Sequence, residues 1–166
     1  MNLIVAVDRK YGIGKDNNLL ARIPADMAYF REKTTGKIIV MGSSTYMSFP
    51  KRPLPNRENL VLTTRPEEYP EVKCFPSVGE FFEYVRGNDD DVFVCGGSTV
   101  YLQLLPYCKK AYVTHIDEEF DADTFFPNLS ELSNWEKVEE SEAVESNGYK
   151  ITFAVYENSD LRLMNV

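Results

Sequence analysis

The chain has 166 residues, 43% of them hydrophobic and 13% aromatic, enough to fill one sizeable core and far from the composition of a disordered chain. Eighteen Lys and Arg against 26 Asp and Glu leave a net charge of −8, which repels nucleic acid and anionic membrane at long range and excludes a polyanion-binding surface. Cys74, Cys95 and Cys108 show no C-x-x-C spacing and His115 is the only histidine, so disulfide frameworks, zinc knuckles, histidine metal sites and most catalytic triads are excluded, and no metal is expected.

The first apolar run, LIVAV at residues 3–7, meets Asp8 and Arg9 at once. It is too short for a signal peptide or membrane span and suits a buried strand, so a cytoplasmic protein is expected. KYGIGKDNNLLAR, residues 10–22, follows as a long polar loop with glycine hinges, placed to close over a ligand. RIPADMAYFREK, residues 22–33, then reads as a helix with Pro24 at its first position. At about 100° per residue, Ile23, Asp26, Met27 and Phe30 share one stripe, so Asp26 points where the apolar residues point. A first-turn Asp compensates the helix dipole equally well when it faces water. Burying an unpaired carboxylate is costly, so Asp26 needs a partner, and a ligand qualifies.

Further strands read at KIIVMG (37–42), NLVLTT (59–64), DVFVCGG (91–97) and AYVTHI (111–116), with helices at SVGEFFEYVRG (77–87) and STVYLQLLPYC (98–108). The alternation predicts a central, largely parallel sheet flanked by helices. WEKVEESEAVESNGYKITFAVYEN, residues 135–158, reads as two alternating strands about an Asn147-Gly148 turn, an antiparallel hairpin that finishes the sheet.

Two junctions share one design. IIVMGSSTY (38–46) and VFVCGGSTVY (92–101) each run a buried strand into glycine and hydroxyl residues before a helix. Such residues also serve simply to turn the chain and cap the helix. Repetition favours a ligand: Gly42, Gly96 and Gly97 admit close approach, and the amides beyond attract phosphate oxygens, so an anionic cofactor would span both. GIGKDN (12–17) lacks the third glycine of the Rossmann fingerprint, and no phosphate-binding G-x-x-x-x-G-K-[ST] occurs. In KRPLPNR (51–57), Arg57 suits a carboxylate unless the loop is merely solvated; in LTTR (62–65), Arg65 stands beside Thr63 and Thr64 at a strand end.

Taken in order, GIGKDN, IPADMAYF, VMGSSTY, RPLPNR, LVLTTR, CGGSTVY, YVTHID and DTFFP, from Leu3 to about Tyr156, resemble dihydrofolate reductase of the bacterial chromosomal type. The resemblance implies one domain over residues 1–166 with an α/β fold: a central eight-stranded, mostly parallel sheet, a C-terminal antiparallel hairpin and about four flanking helices. It implies reduction of dihydrofolate to tetrahydrofolate with NADPH as cofactor, by hydride transfer to pterin C6 and protonation at N5, in support of thymidylate, purine and glycine synthesis. The implied partners are dihydrofolate and folate-analogue inhibitors, with no nucleic acid and no membrane, for a monomer in the cytoplasm.

By the same resemblance, Asp26 receives the pterin 2-amino group and N3, supported by the hydroxyl of Thr114. It faces the edge opposite N5, so its catalytic role is electrostatic and its proton donation indirect, through water. The pterin and benzoyl pocket uses Ile4, Val5, Ala6, Met27, Phe30, Leu54 and Cys95, with Phe49 near the rim and Arg57 clamping the glutamate α-carboxylate. The nicotinamide side involves Ala6, Ile13, Leu19, Thr45, Gly96 and Gly97, and Gly14, Leu62 and Cys95 also count among the cofactor-binding residues. The pyrophosphate meets Gly42, Ser44, Thr45, Ser98 and Thr99, with Val100 and Tyr101 in the same junction, and the adenosine 2′-phosphate rests near Ser43, Thr63, Thr64 and Arg65. Four positions depart from the pattern: Ala21 stands where many relatives carry Trp, Ser43 and Thr99 where some carry Arg, and Ala122 where Gly is common. Two alternatives remain: a reductase of similar fold acting on a riboflavin-pathway pyrimidine, which Arg57 disfavours, and a non-catalytic NADPH- or folate-binding module, which Asp26 disfavours.

Overall fold

Alternation along β1 (Asn2–Val7) sets the two sides of the sheet: Leu3, Val5 and Val7 join one apolar cluster, while Ile4 joins another. The computed structural model describes residues 1–164. After β1 come β2 (Gly12–Gly14), α1 (Pro24–Thr34), β3 (Ile38–Gly42), α2 (Ser43–Ser48), β4 (Glu58–Leu62), β5 (Lys73–Phe75), α3 (Val78–Val85) and β6 (Val92–Val94). α4 (Ser98–Leu104), β7 (Lys110–Ile116), β8 (Thr124–Phe125), β9 (Trp135–Glu140), β10 (Val144–Ser146) and β11 (Tyr149–Asn158) complete the order.

The main sheet runs β10-β11-β7-β1-β6-β3-β4-β5, with β9 also on β11. β1 pairs parallel with β6 and β7, and β3 with β4 and β6; among the described residues, antiparallel pairing within this sheet involves β11 and its three neighbours. Phe81, Phe82 and Val85 of α3 and Val100, Tyr101 and Leu104 of α4 fill the larger cluster with Val40, Leu60 and Val94. Tyr29 and Phe30 of α1 and Tyr46 of α2 pack with Ile39, Met41, Val61 and Phe93. α3 begins on a Ser77 hydroxyl that accepts the Glu80 N–H, an N-cap, and itself donates to the Glu80 carboxylate.

The sheet holds nine strands rather than eight, because the first strand of the terminal hairpin is broken at residues 141–143. Its halves, β9 and β10, both pair with β11. At the break the Ser141 hydroxyl accepts the Phe153 N–H at 2.9 Å, in place of a ladder carbonyl. Two further pieces carry no strand signal. β5 is a three-residue edge, and β2 lies inside the segment expected to be loop, where it pairs with the two-residue β8.

Candidate active site

The carboxyl ends of β1, β6, β3 and β4 converge on one cleft of about 500 Å³, where open α/β sheets hold their ligands. The two glycine junctions stand side by side in it, because β3 pairs with β6 and the Gly42 N–H donates to the Gly96 carbonyl at 2.8 Å. Gly96 has φ +122°, and a Cβ there would lie 3.2 Å from Thr45 Oγ1; at Gly42 it would lie 3.3 Å from Val100 Cγ2. Side chains at either position would strain the backbone or crowd the floor of the cleft. No side chain caps α2 or α4, which leaves their first N–H groups to bind an anion. The hydroxyls of Ser44, Thr45, Ser98 and Thr99 line the same surface, so the donor set fits a pyrophosphate.

Of the residues expected around the cofactor, Ala6, Ile13, Gly14, Leu19, Ser43, Leu62, Cys95, Gly97 and Tyr101 also line this cleft. Thr63, Thr64 and Arg65 do not: they lie past the end of β4. There the Arg65 N–H donates to Thr63 Oγ1 at 3.1 Å, and the exposed guanidinium stands 3.6 Å from Glu68. Asn17, Asn18, Ser48, Gln103 and Thr124 line the cleft without having been singled out. Thr124 sits in the DTFFP motif, and Asn17 and Asn18 sit in the glycine-hinged loop over residues 10–22, so these three are marked by their segments though not by name.

Pro24 opens α1 and places Asp26 in the first turn. The stripe it shares with Met27 and Phe30 is half-buried rather than core, and Thr34 is the one fully buried residue of the helix. The apolar face is therefore only partly covered by the sheet side chains that Phe30 packs against. Asp26 Oδ1 accepts the Thr114 hydroxyl at 2.6 Å, a charge-assisted bond across 88 residues of chain. Thr114 is buried on β7, in register with Ala6 of β1, so the bond lies next to a residue of the cleft, whose own lining does not include Asp26, Met27, Phe30, Arg57 or Thr114. Burial pushes the Asp26 carboxyl above its ordinary range, opposed by the Thr114 hydrogen bond.

Ile4 packs in a cluster with Phe30, Phe49, Leu54 and Cys95, five of the residues expected against pterin and benzoyl. Val5, Ala6 and Cys95 join this cluster's surroundings to the cofactor cleft. Arg57 lies 5.9 Å from the Phe30 ring and donates to Thr34 Oγ1 at 3.2 Å and to the Pro55 carbonyl at 2.9 Å. These neutral acceptors leave its charge unmatched. Neither Asp26 nor Arg57 enters an ion pair among the described residues.

The profile of the family described as dihydrofolate reductase matches residues 1–158. The chain belongs to this family. It is 37% identical over 163 residues to the dihydrofolate reductase of Bacillus subtilis, covering 96% of this chain and 95% of that one. It is 42% identical over 138 residues to that of Haemophilus influenzae, covering 83% and 82%. Among solved structures, dihydrofolate reductase from Enterococcus faecalis complexed with NADP(H) and RAB-propyl superposes with a TM-score of 0.84 at 36% identity, covering 96% of each chain.

Against this dihydrofolate reductase frame the departures have visible consequences. Ala21 packs in a small cluster with Ala6, Ala25, Phe120 and Phe153, so its methyl adds nothing polar to the pterin side. Ala122 has its methyl against Gly12, where a Cβ would come within 2.5 Å of it. Bulk absent at one position is thus matched by bulk present at the other.

Proposed function

We propose that this chain reduces dihydrofolate to tetrahydrofolate with NADPH, and that Asp26 is the residue on which the chemistry turns. The observation that carries this is a partly buried carboxylate tied to the strand beside Ala6, a residue of the cleft, with one side-chain hydroxyl donor and no cation among the described residues. Such a group binds a heterocycle that offers two N–H donors on one edge, as the 2-amino group and N3 of a pterin do. Its negative charge favours the protonated pterin, which accepts a hydride without building up anionic charge. Bound NADPH supplies that hydride to C6. Because Asp26 would contact the edge away from N5, the N5 proton arrives through water, and Asp26 acts by raising the protonated fraction. Gly42, Gly96, Gly97 and the hydroxyls beside them would hold the pyrophosphate, with Ile13, Gly14 and Leu19 over the nicotinamide. The unmatched charge of Arg57 would clamp the substrate's glutamate carboxylate, which also argues against a substrate lacking that tail.

The 2′-phosphate would have to draw Arg65 from Glu68, with Ser43, Thr63 and Thr64 as neutral donors. A net charge of −8, and the lack of any helix long and apolar enough to span a membrane among the described residues, support a small-molecule enzyme. We read it as one domain working as a cytoplasmic monomer. The test is turnover: NADPH should be oxidised only when dihydrofolate is added, and Asp26→Asn should lower the rate at neutral pH by at least ~100-fold, with partial recovery in acid where the substrate protonates itself. NADPH binding without turnover would instead favour the non-catalytic module.

A further inference from the structure

One carboxylate is buried more deeply than Asp26 and lies outside the chemistry. Asp8, just past β1, is 2% exposed and enters no ion pair among the described residues. Its charge is met by three main-chain donors: Oδ1 accepts the N–H groups of Lys10 at 2.9 Å and Gly12 at 2.8 Å, and Oδ2 accepts that of Phe120 at 3.0 Å. The first two bonds close a local turn, which asparagine would close equally well with its single carbonyl oxygen. The third reaches a segment 112 residues away and needs an acceptor on the second oxygen, which only a carboxylate has. The long-range bond therefore explains why this position carries Asp.

The two segments it ties both end in the cleft. One leads through β2 to Ile13, Gly14 and Leu19; the other leads to Thr124. Around the tie the Arg9 N–H donates to the Glu118 carbonyl at 2.9 Å and the Phe126 N–H to the Tyr11 carbonyl at 2.8 Å. A Cβ on Gly12 would meet both Ala122 and the Asp8 carboxylate, so the segments touch with no space between them.

We propose that Asp8 is a positioning residue for the cofactor: by pinning the base of residues 9–22 to residues 117–126, it holds Ile13 and Gly14 at the cleft and slows NADPH release. This rests on the reading of the cleft as the NADPH site. The dihydrofolate side is served by α1, β7 and the Arg57 loop, which Asp8 does not touch.

Asp8→Asn is the selective test, because its carbonyl oxygen keeps the Lys10 and Gly12 bonds while its NH2 is set against the Phe120 N–H. NADPH dissociation and the KM for NADPH should each rise about tenfold, the scale of one lost charge-assisted hydrogen bond, while the KM for dihydrofolate stays within about twofold. A purely structural role would lower Tm without splitting the two KM values. Unchanged NADPH release in a folded variant, or both KM values rising together, would overturn the proposal. A second measurement needs no variant: by reciprocity, saturating NADPH should slow hydrogen exchange at the Lys10, Gly12 and Phe120 amides of the wild-type protein. NADPH that binds but leaves these three amides unchanged overturns the role of Asp8 alone; wild-type protein that takes up no NADPH overturns the reading of the cleft and this proposal with it.

Discussion

Thr114→Val removes one oxygen and changes almost nothing else. The side chain is 1% exposed and valine is close to it in size, so no large cavity opens and the change that matters is the hydroxyl, whose loss leaves Asp26 Oδ1 without that donor. What disappears is the 2.6 Å hydroxyl bond to Asp26 Oδ1, the one side-chain donor that carboxylate has among the described residues. A hydrogen bond to a charged group contributes about 1.5–3 kcal/mol, and each 1.4 kcal/mol is tenfold, so kcat/KM for dihydrofolate at neutral pH should fall about 10–100-fold. The sign of the pH response is also fixed. The hydroxyl holds the carboxyl down while burial pushes it up, so its loss lets burial act alone and moves the Asp26 limb of the pH–rate profile to higher pH. Steady-state kinetics across pH for wild type, Thr114→Val and Thr114→Ser give the answer, since serine restores the donor. If Thr114→Val keeps its kcat/KM within about twofold and its profile does not move, the bond does not govern Asp26.

Arg57→Leu should weaken dihydrofolate binding by about 2–4 kcal/mol while largely sparing kcat, and an analogue without the glutamate tail should bind both proteins equally, as read by titration. Gly96→Ala should lower Tm by about 3–10 °C and weaken NADPH binding, because φ +122° is strained for alanine and its Cβ meets Thr45; calorimetry checks both. Asp26→Asn should raise stability at neutral pH even as it removes activity. The folded carboxyl titrates above its unfolded value, so the unfolded chain ionises first and wild-type stability falls as pH rises from the ordinary Asp range to the folded pKa. Urea midpoints should therefore favour the variant at pH 7 and converge below about pH 4. His115 has the opposite sense: burial first, and then Lys137, lower its pKa, so the unfolded chain takes up protons first and stability should drop as pH falls from about 6.5 toward the folded pKa. The same midpoints, with His115→Gln as control, measure it.

The parts of the fold that were legible are those in which one segment carries its own signal. Alternating apolar runs mark β1, β3, β4, β6 and β7, and Pro24 with its first-turn Asp marks α1. The misses share a physical cause, which is that their order comes from a partner. β5 has three residues and is a strand only because β4 lies beside it, and β2 and β8 define each other. The break at Ser141 is invisible until Phe153 is opposite it.

The same division runs through the site. Glycine junctions announce themselves locally, and their adjacency follows from the β3–β6 pairing. Asp26 could be read as a buried acid from its stripe, but the stripe does not say whether it faces packed core or open cleft. The structure decides that by leaving Asp26, Met27 and Phe30 half-buried. Asp8 is the stronger case. In sequence it is a charge ending a strand, indistinguishable from a solvated cap, because two of its bonds are local and the informative third depends on a loop 112 residues on. A carboxylate where asparagine would satisfy every local donor is itself a signal that a distant donor exists. Testing each buried or strand-end Asp by asking which of its bonds asparagine would lose separates a turn-former from a tie between segments, and at Asp8 that question leaves one bond, to Phe120.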